Sequence, residues 1–219
     1  MKKTRQVTVG SVKIGGGAPI AVQSMSTFSP VDTAYAAAQI NALAKEGADI
    51  VRMAVPDRKA AEALKELRQR VSIPLVADIH FDYRLALTAI DAGIDALRIN
   101  PGNIGKRENV VKVVTQAKER HIPIRIGVNA GSLPEELLDK YGGHPTAEGM
   151  VEGALRHVKI LEEEHFHDIV ISVKATDVPM MVKANRLLSE QLNYPLHLGV
   201  TEAGTLYRGT IKSAIGIGA

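Results

Sequence analysis

Two patterns of hydrophobic and polar positions alternate along the 219 residues. Short apolar runs rich in Val, Ile and Leu predict buried parallel strands. The stretches between these runs carry signals that begin and end helices. Seven strands that alternate with helices predict a parallel α/β fold. The seven predicted strands cover residues 19–25, 48–55, 74–80, 96–102, 123–131, 168–175 and 195–204.

Local motifs predict where several helices begin and end. "SPVD" at 29–32 has the form of a capping box, with Pro30 at the first helical position. Gly47 and Gly93 follow helical stretches and predict left-handed C-terminal caps. "HPTAEGM" at 144–150 is predicted to open a long helix.

Two architectures fit a parallel α/β pattern, the doubly wound sheet and the (β/α)8 TIM barrel. No G-x-G-x-x-G follows the first predicted strand, and "GGG" at 15–17 precedes it, so the nucleotide-binding doubly wound sheet lacks its signature. We therefore expect residues 1–219 to form one TIM-barrel-type domain with seven strands visible and the eighth missing from this chain. In such barrels ligands bind at the C-terminal strand ends.

Polar residues gather at those ends. Side chains two apart on a strand share a face, so pairs such as Asp78 and His80 point the same way. Four bases near one axis, with one acid among them, would cost several kcal/mol each to bury without anionic partners. A phosphorylated or diphosphorylated small molecule would supply those partners, because Arg matches phosphate oxygens with its planar fork. The residues are Gln23, Ser24, Ser26, Arg52, Asp78, His80, Arg98, Asn100, Arg125, Asn129, Lys174, His197 and Glu202.

Simpler interpretations apply to single members of this set. One Arg at a strand end usually forms a surface ion pair, and His197 alone is typical of a structural histidine. Asp78 could serve only to cap the next helix or to orient Arg98. Four basic residues at equivalent ends of four strands favour a binding site. We expect no metal site, because the other histidines lie in loop or helix with spacing that is poor for metal. These are His144, His157, His165 and His167.

Composition and charge exclude several classes of function. Aromatic residues make up 4% and Trp is absent, which argues against stacking on single-stranded nucleic acid. The net charge of +3 is too small to indicate a nucleic-acid or membrane protein. The N-terminus has no apolar segment of a signal peptide, and no run of about 18 apolar residues exists. We expect a cytoplasmic protein with no nucleic-acid or membrane partner.

Several motifs together resemble the barrel domain of the 4-hydroxy-3-methylbut-2-enyl diphosphate synthase family, penultimate enzymes of the methylerythritol phosphate route to isoprenoids. The resemblance runs in order along essentially the whole chain. It implies a TIM barrel that binds 2-C-methyl-D-erythritol 2,4-cyclodiphosphate, and an enzyme that opens this ring reductively with loss of water. The motifs are "APIAVQSM", "GADIVR", "PLVADIHFDYR", "LRINPGNIG", "IPIRIGVNAGSL", "SVKATDV" and "PLHLGVTEAG".

The resemblance also implies roles for individual residues. Four bases fall where family members bind the diphosphate, namely Arg52, Arg98, Arg125 and Lys174. Four more residues fall at substrate-site positions, namely Asp78, His80, Asn100 and Asn129. Glu202 matches the acidic residue near the reacting end of the substrate, and we expect it to be catalytic, as a group that handles protons.

The sequence departs from the family in two ways. In the family a C-terminal domain holds a [4Fe-4S] cluster with three Cys and one Glu, fed by flavodoxin or ferredoxin, and this chain has no Cys. It therefore cannot hold that cluster by itself. The eighth strand is also absent, so we expect a fragment of a full enzyme, with a split enzyme as the alternative. Full-length family members form homodimers, which is the expectation for the whole protein.

Two other functions stay open on the sequence. A transferase similar to dihydropteroate synthase would need no cluster and would also use a phosphate-binding barrel. A non-catalytic diphosphate-binding barrel would bind its ligand tightly without turnover. The motifs quoted above favour the reductive enzyme.

Overall fold

The computed structural model describes residues 3–219 and shows one parallel sheet that curls into an incomplete barrel. An antiparallel hairpin precedes it, formed by β1 (Gln6–Val9) and β2 (Val12–Gly15). The parallel strands are β3 (Gln23–Met25), β4 (Ile50–Ala54), β5 (Leu75–Asp78), β6 (Ala96–Ile99), β7 (Ile124–Asn129) and β8 (Ile169–Lys174). They pair in the order of the sequence, from β3 to β8. Each parallel strand therefore lies beside the next, as in a TIM barrel.

Helices connect the strands and cover the outside of the sheet. They are α1 (Thr33–Lys45), α2 (Arg58–Gln69), α3 (Tyr83–Asp91), α4 (Arg107–Glu119), α5 (Glu135–Lys140), α6 (Ala147–Glu163), α7 (Val178–Gln191) and α8 (Leu206–Gly218). Strand residues such as Leu97, Ile126 and Ile171 are fully buried against helix residues such as Val113 and Ala154. The main core thus lies between sheet and helices, which confirms the predicted α/β barrel-type fold.

The seventh predicted strand is wrong in extent. Within residues 195–204 only Leu196 forms a β-bridge, a parallel one with Ile171 of β8. His197 N–H still donates to the Ile171 carbonyl at 2.8 Å, so the segment runs along β8 in an extended form. No strand in residues 3–219 pairs with its other side.

The predicted capping box at 29–32 is also wrong. Helix α1 begins at Thr33 with Asp32 as its N-cap, and no side chain caps it. Residues 29–32 form a turn instead, closed by the Asp32 N–H donating to the Ser29 carbonyl at 3.1 Å. The two glycine caps are confirmed, with φ of +98° at Gly47 and +85° at Gly93. The long helix α6 begins as predicted, where Thr146 accepts a hydrogen bond from Gly149 N–H.

The N-terminal hairpin closes the lower end of the barrel, opposite the C-terminal strand ends. Val9 is 3% exposed and packs with Ile50, Val76 and Ala96, the lowest inward residues of three parallel strands. Val12 and Ile14 complete this second, smaller core. Because the hairpin covers this end, the polar interior lies above it, toward the C-terminal ends of the strands.

Candidate active site

A buried cluster of charge fills the barrel above the apolar floor. Asp78, Arg98 and Arg125 are register partners across three neighbouring strands, β5, β6 and β7. Arg98 and Arg125 are 9% and 5% exposed, and Asp78 is 2% exposed. Arg52 of β4 and Lys174 of β8 join them from the flanking strands. Parallel register thus brings the predicted bases together inside the curl of the sheet.

Asp78 is the acid at the centre of this cluster. Its Oδ1 accepts a hydrogen bond from Arg98 Nη1 at 3.1 Å, and its Oδ2 lies 3.4 Å from Arg52 Nε. His80 Nε2 lies 3.6 Å from Oδ1, on a ring that is half exposed at the rim. Asp78 therefore holds two of the bases, and its interaction with Arg98 is the orienting contact that the sequence suggested.

Arg125 and Lys174 have no carboxylate partner among residues 3–219. Burial, with repulsion from Arg52 and Arg98, lowers the pKa of Arg125 to about 9. Burial, with repulsion from Arg125, Arg52 and Arg98, lowers the pKa of Lys174 to about 8. A cationic site that depresses its own pKa values is short of negative charge, which an anionic ligand would supply.

Two neutral residues hold Arg125 from below. Its Nη1 lies 3.4 Å from Gln23 Oε1 and 3.0 Å from His197 Nδ1. Burial, followed by repulsion from Arg125 and Lys174, lowers the pKa of His197 far below its ordinary value. The imidazole is therefore neutral and able to accept a hydrogen bond from the guanidinium. The structural role considered for His197 is thus contact with Arg125, and Nε of Arg125 is left buried without a hydrogen-bond partner.

The neutral donors occupy the rim. Asn129 ends β7 in register with Lys174. Asn100 follows β6, and its side-chain oxygen accepts a hydrogen bond from Gly102 N–H at 3.1 Å, which leaves the amide NH2 to donate. Ser26 is not available as a donor to the site, because its hydroxyl donates to Gln39 of α1 at 2.9 Å.

Glu202 lies at the rim, on the edge segment at 195–204 that follows α7 and runs beside β8. It has a φ of +51°, which is uncommon for a residue with a side chain and marks a constrained position. Its two carboxylate oxygens lie 3.9 Å from where a Cβ on Gly131 would stand, in the turn directly after β7. The predicted acid is thus exposed at the mouth of the barrel, beside the turn that follows Asn129.

Two glycines belong to the site and were missed in the sequence. A Cβ on Gly127 of β7 would lie 2.4 Å from Arg98 Nε, and one on Gly199 would lie 3.1 Å from Lys174 Nζ. The signal was present, because a glycine inside a strand often marks a close approach of another group. "RIGVN" holds such a glycine at 127.

Residues 3–219 contain neither a group of metal ligands nor a membrane-spanning helix. No group of three or more His, Cys, Asp or Glu side chains within residues 3–219 could hold a metal ion. An iron-sulfur cluster needs thiolates that the sequence does not contain, so the cluster implied by the resemblance does not fit these residues. Among residues 3–219 no helix has the length and apolarity needed to cross a membrane.

The fold and the inward polar strand ends define a TIM-barrel domain. Residues 4–219 match the family described as the GcpE TIM-barrel domain, and the chain belongs to this family.

Among its relatives are two proteins named 4-hydroxy-3-methylbut-2-en-1-yl diphosphate synthase (flavodoxin). The one from Symbiobacterium thermophilum is 62% identical over 99% of this chain and 58% of the relative. The one from Geobacter sulfurreducens is 60% identical over 99% of this chain and 61% of the relative. The chain therefore spans about three fifths of the length of these curated relatives.

Solved structures show the same fold at low identity. A 3-dehydroquinate dehydratase from Geobacillus kaustophilus has a TM-score of 0.65 at 14% identity, covering 99% of this chain and 85% of that chain. A dihydropteroate synthase from Thermus thermophilus has a TM-score of 0.66 at 12% identity, covering 97% and 87%. These similarities concern the fold alone, so they do not favour the transferase considered from the sequence.

Proposed function

We propose that this chain is the substrate-binding barrel of a 4-hydroxy-3-methylbut-2-enyl diphosphate synthase. Its substrate would be 2-C-methyl-D-erythritol 2,4-cyclodiphosphate, which the whole enzyme opens by two-electron reduction with loss of water. The observation that carries the proposal is the set of four bases inside the barrel, two of them buried and two partly buried, with Asp78 as their acid. The names of the relatives, over nearly the whole chain, supply the reaction.

The site residues have distinct proposed tasks. The diphosphate accepts hydrogen bonds from Arg98, Arg125 and Lys174, and Arg52 adds charge from the flank. Asn129 and the Asn100 amide donate to the remaining oxygens, and His80 contacts the ligand at the rim. Asp78 holds Arg98 and Arg52 in place before the ligand arrives, which lowers the ordering cost of binding. Asp78 lies 3.1 Å from Arg98 Nη1 and 3.4 Å from Arg52 Nε.

The reducing group would come from outside these residues. A [4Fe-4S] cluster bound by cysteines elsewhere in the whole protein, or in a partner chain, fits a chain without Cys. Flavodoxin, which the relatives' names contain, or ferredoxin would deliver the electrons. We further propose a homodimer for the full-length enzyme and a cytoplasmic location. Glu202 at the barrel mouth would handle the proton that accompanies water loss.

Binding of the cyclic diphosphate tests the role of the barrel. Calorimetry on the full-length protein should show loss of affinity of about 10- to 100-fold for Arg125→Gln, since a hydrogen bond to a charged group is worth about 1.5–3 kcal/mol. Arg120→Gln is the matched control, because this arginine is exposed and lies 3.8 Å from Asp91, outside the barrel. Equal affinity in both variants would contradict the proposal.

Turnover separates an enzyme from a binding protein. With a flavodoxin system, the wild-type protein should convert the cyclic diphosphate, whereas Glu202→Gln should lose turnover and keep substrate affinity within a few-fold. Tight binding without any turnover, when cluster and reductant are present, would favour the non-catalytic barrel instead. Turnover of a pterin diphosphate with p-aminobenzoate would favour the transferase.

A further inference from the structure

Two glycines, Gly127 and Gly199, lie directly against two cations of the site. Gly127 belongs to β7, next to β6, which carries Arg98. A Cβ on Gly127 would stand 2.4 Å from Arg98 Nε, 2.7 Å from Nη2 and 2.9 Å from Cζ. Non-bonded carbon atoms meet at about 3.5–4.0 Å, so the guanidinium occupies space that any other residue would fill. Arg98 therefore rests directly on the backbone of the neighbouring strand.

Gly199 repeats this arrangement two strands further along the sheet. It is buried in the edge segment beside β8, and a Cβ there would stand 3.0 Å from Lys174 Cε and 3.1 Å from Nζ. Backbone conformation does not require glycine at either position, because neither is among the residues with positive φ. The space taken by the cation is thus the physical reason for a glycine at both positions.

We propose that Gly127 and Gly199 are positioning residues that set the spacing of Arg98 and Lys174, and thereby the phosphate geometry that the barrel accepts. This inference rests on the proposed diphosphate-binding function. Arg98 cannot withdraw far, because its Nη1 is bonded to Asp78 at 3.1 Å and it is 9% exposed. A methyl group at 127 would force the guanidinium upward into the space for the ligand, or break its contact with Asp78.

The consequences of Gly127→Ala are specific. The atoms displaced are the far end of a flexible side chain, so the fold adapts while the cation moves. Alanine also costs less conformational entropy than glycine on folding, which favours the strand. We expect a cooperative thermal unfolding transition to persist and affinity for the cyclic diphosphate to fall at least tenfold. Gly199→Ala should act in the same direction with a smaller loss, because its contacts are less close.

Gly153→Ala is the matched control. Gly153 is also buried, on α6, and a Cβ there would meet Leu137 at 3.4 Å and Leu133 at 3.5 Å, which is ordinary contact. This substitution adds the same methyl group against apolar side chains only, those of Leu137, Leu133 and Val128. Its affinity for the cyclic diphosphate should equal that of the wild-type protein.

A double-mutant cycle on the full-length protein tests the inference by calorimetry. If Gly127 acts through Arg98, then Gly127→Ala should weaken binding in the wild type and change it less than twofold in the Arg98→Gln background. Equal losses in both backgrounds would overturn the positioning role. Wild-type binding with no loss in Gly127→Ala would overturn it too, and would leave the proposed function standing.

A measurement without ligand tests the positioning role of Gly127 separately from the proposed diphosphate binding. A crystal structure of ligand-free Gly127→Ala should show the Arg98 guanidinium displaced by more than 1 Å relative to the wild type, with Asp78 unmoved. An unmoved guanidinium would overturn the inference. Absence of diphosphate binding by the wild-type protein would defeat both proposals together, since the spacing would then serve no phosphate.

Discussion

At the scale of one residue, the environment of Lys174 shows why the barrel favours an anionic ligand. Its ammonium lies partly buried beside three arginines, and this burial with their repulsion lowers its pKa to about 8. The charged form of Lys174 is thus disfavoured in the free protein, and a bound phosphate would stabilise it. Binding should therefore raise the pKa of Lys174 again.

This change predicts proton uptake on binding. Between the pKa of free Lys174, about 8, and its higher value in the complex, affinity for the cyclic diphosphate should fall by up to tenfold for each unit of pH rise. Calorimetry at pH 8.5 in buffers of different ionisation enthalpy should detect uptake of part of a proton. Lys174→Gln should remove most of that uptake, and Arg125, whose pKa in the free protein is about 9, would supply the remainder. An unchanged uptake in this variant would assign the proton to another group.

Some residues of the site could be predicted from the sequence, and others could not. Asp78 could be placed on the same face of its strand as His80, and Arg98 on the same face as Asn100, because strand alternation needs only the sequence. The contacts of Arg125 with Gln23 and His197 could not, since they join residues 102 and 72 positions apart. The roles of Gly127 and Gly199 depend equally on the path of a neighbouring side chain.

The N-terminal hairpin is the element that the strand prediction missed. "VTVGSVKIG" contains two alternating apolar runs separated by Gly-Ser, which is a hairpin signal available in the sequence. Gly10 in the turn has a φ of +56° and packs against Pro74 and Asp95. Nothing in the local pattern shows that this hairpin would close the barrel floor.

The small core between the hairpin and the parallel strands predicts an effect on the free energy of unfolding. Val9→Ala removes two methyl groups from the small core with Ile50 and Val76, and should lower the free energy of unfolding by about 1–2 kcal/mol. Lys13→Ala on the exposed side of the same hairpin is the control and should change stability by less than about 0.5 kcal/mol. Denaturant unfolding of the full-length protein measures both. Equal effects would mean that the hairpin contributes little packing at this end.

Helix α5 was missed for a different reason. Its six residues are too few to give a clear helical period. It is held by tertiary contacts, in which Glu152 of α6 accepts hydrogen bonds from Lys140 Nζ and the Tyr141 hydroxyl, both at 2.7 Å. These bonds and one from Arg156 lower the pKa of Glu152 to about 2. Contacts between elements, rather than local propensity, thus determine the conformation after β7.

The whole molecule has two open borders. Large apolar residues are exposed at the β3 and α1 border, including Ile20 at 86% and Tyr35 at 70%. At the other border α8 exposes Leu206 at 89% and Tyr207 at 77%. A closed TIM barrel has eight strands with no free edge, and the described residues provide six with one bridge. Both borders therefore present surface that a closed barrel would cover.

This openness predicts association of residues 1–219 produced alone. Exposed strand edges and apolar patches favour aggregation, so light scattering should show concentration-dependent species larger than 23.5 kDa. Replacing Leu206 and Ile215 with Ser should reduce this association, whereas Thr210→Ser on the same helix should not. A monomer with a sharp two-state unfolding transition would contradict the prediction.

Apolar periodicity by itself determined the strand-helix alternation, the parallel fold and the face on which the polar strand ends lie. These follow from the sequence because side-chain direction in a strand and helix caps at Gly47 and Gly93 are local properties. The tertiary structure alone decided that Asp78 holds two bases, that the hairpin closes the floor and that the segment at 195–204 forms a single bridge. Those features depend on which distant residues meet once the sheet curls, and a local pattern contains no such distances.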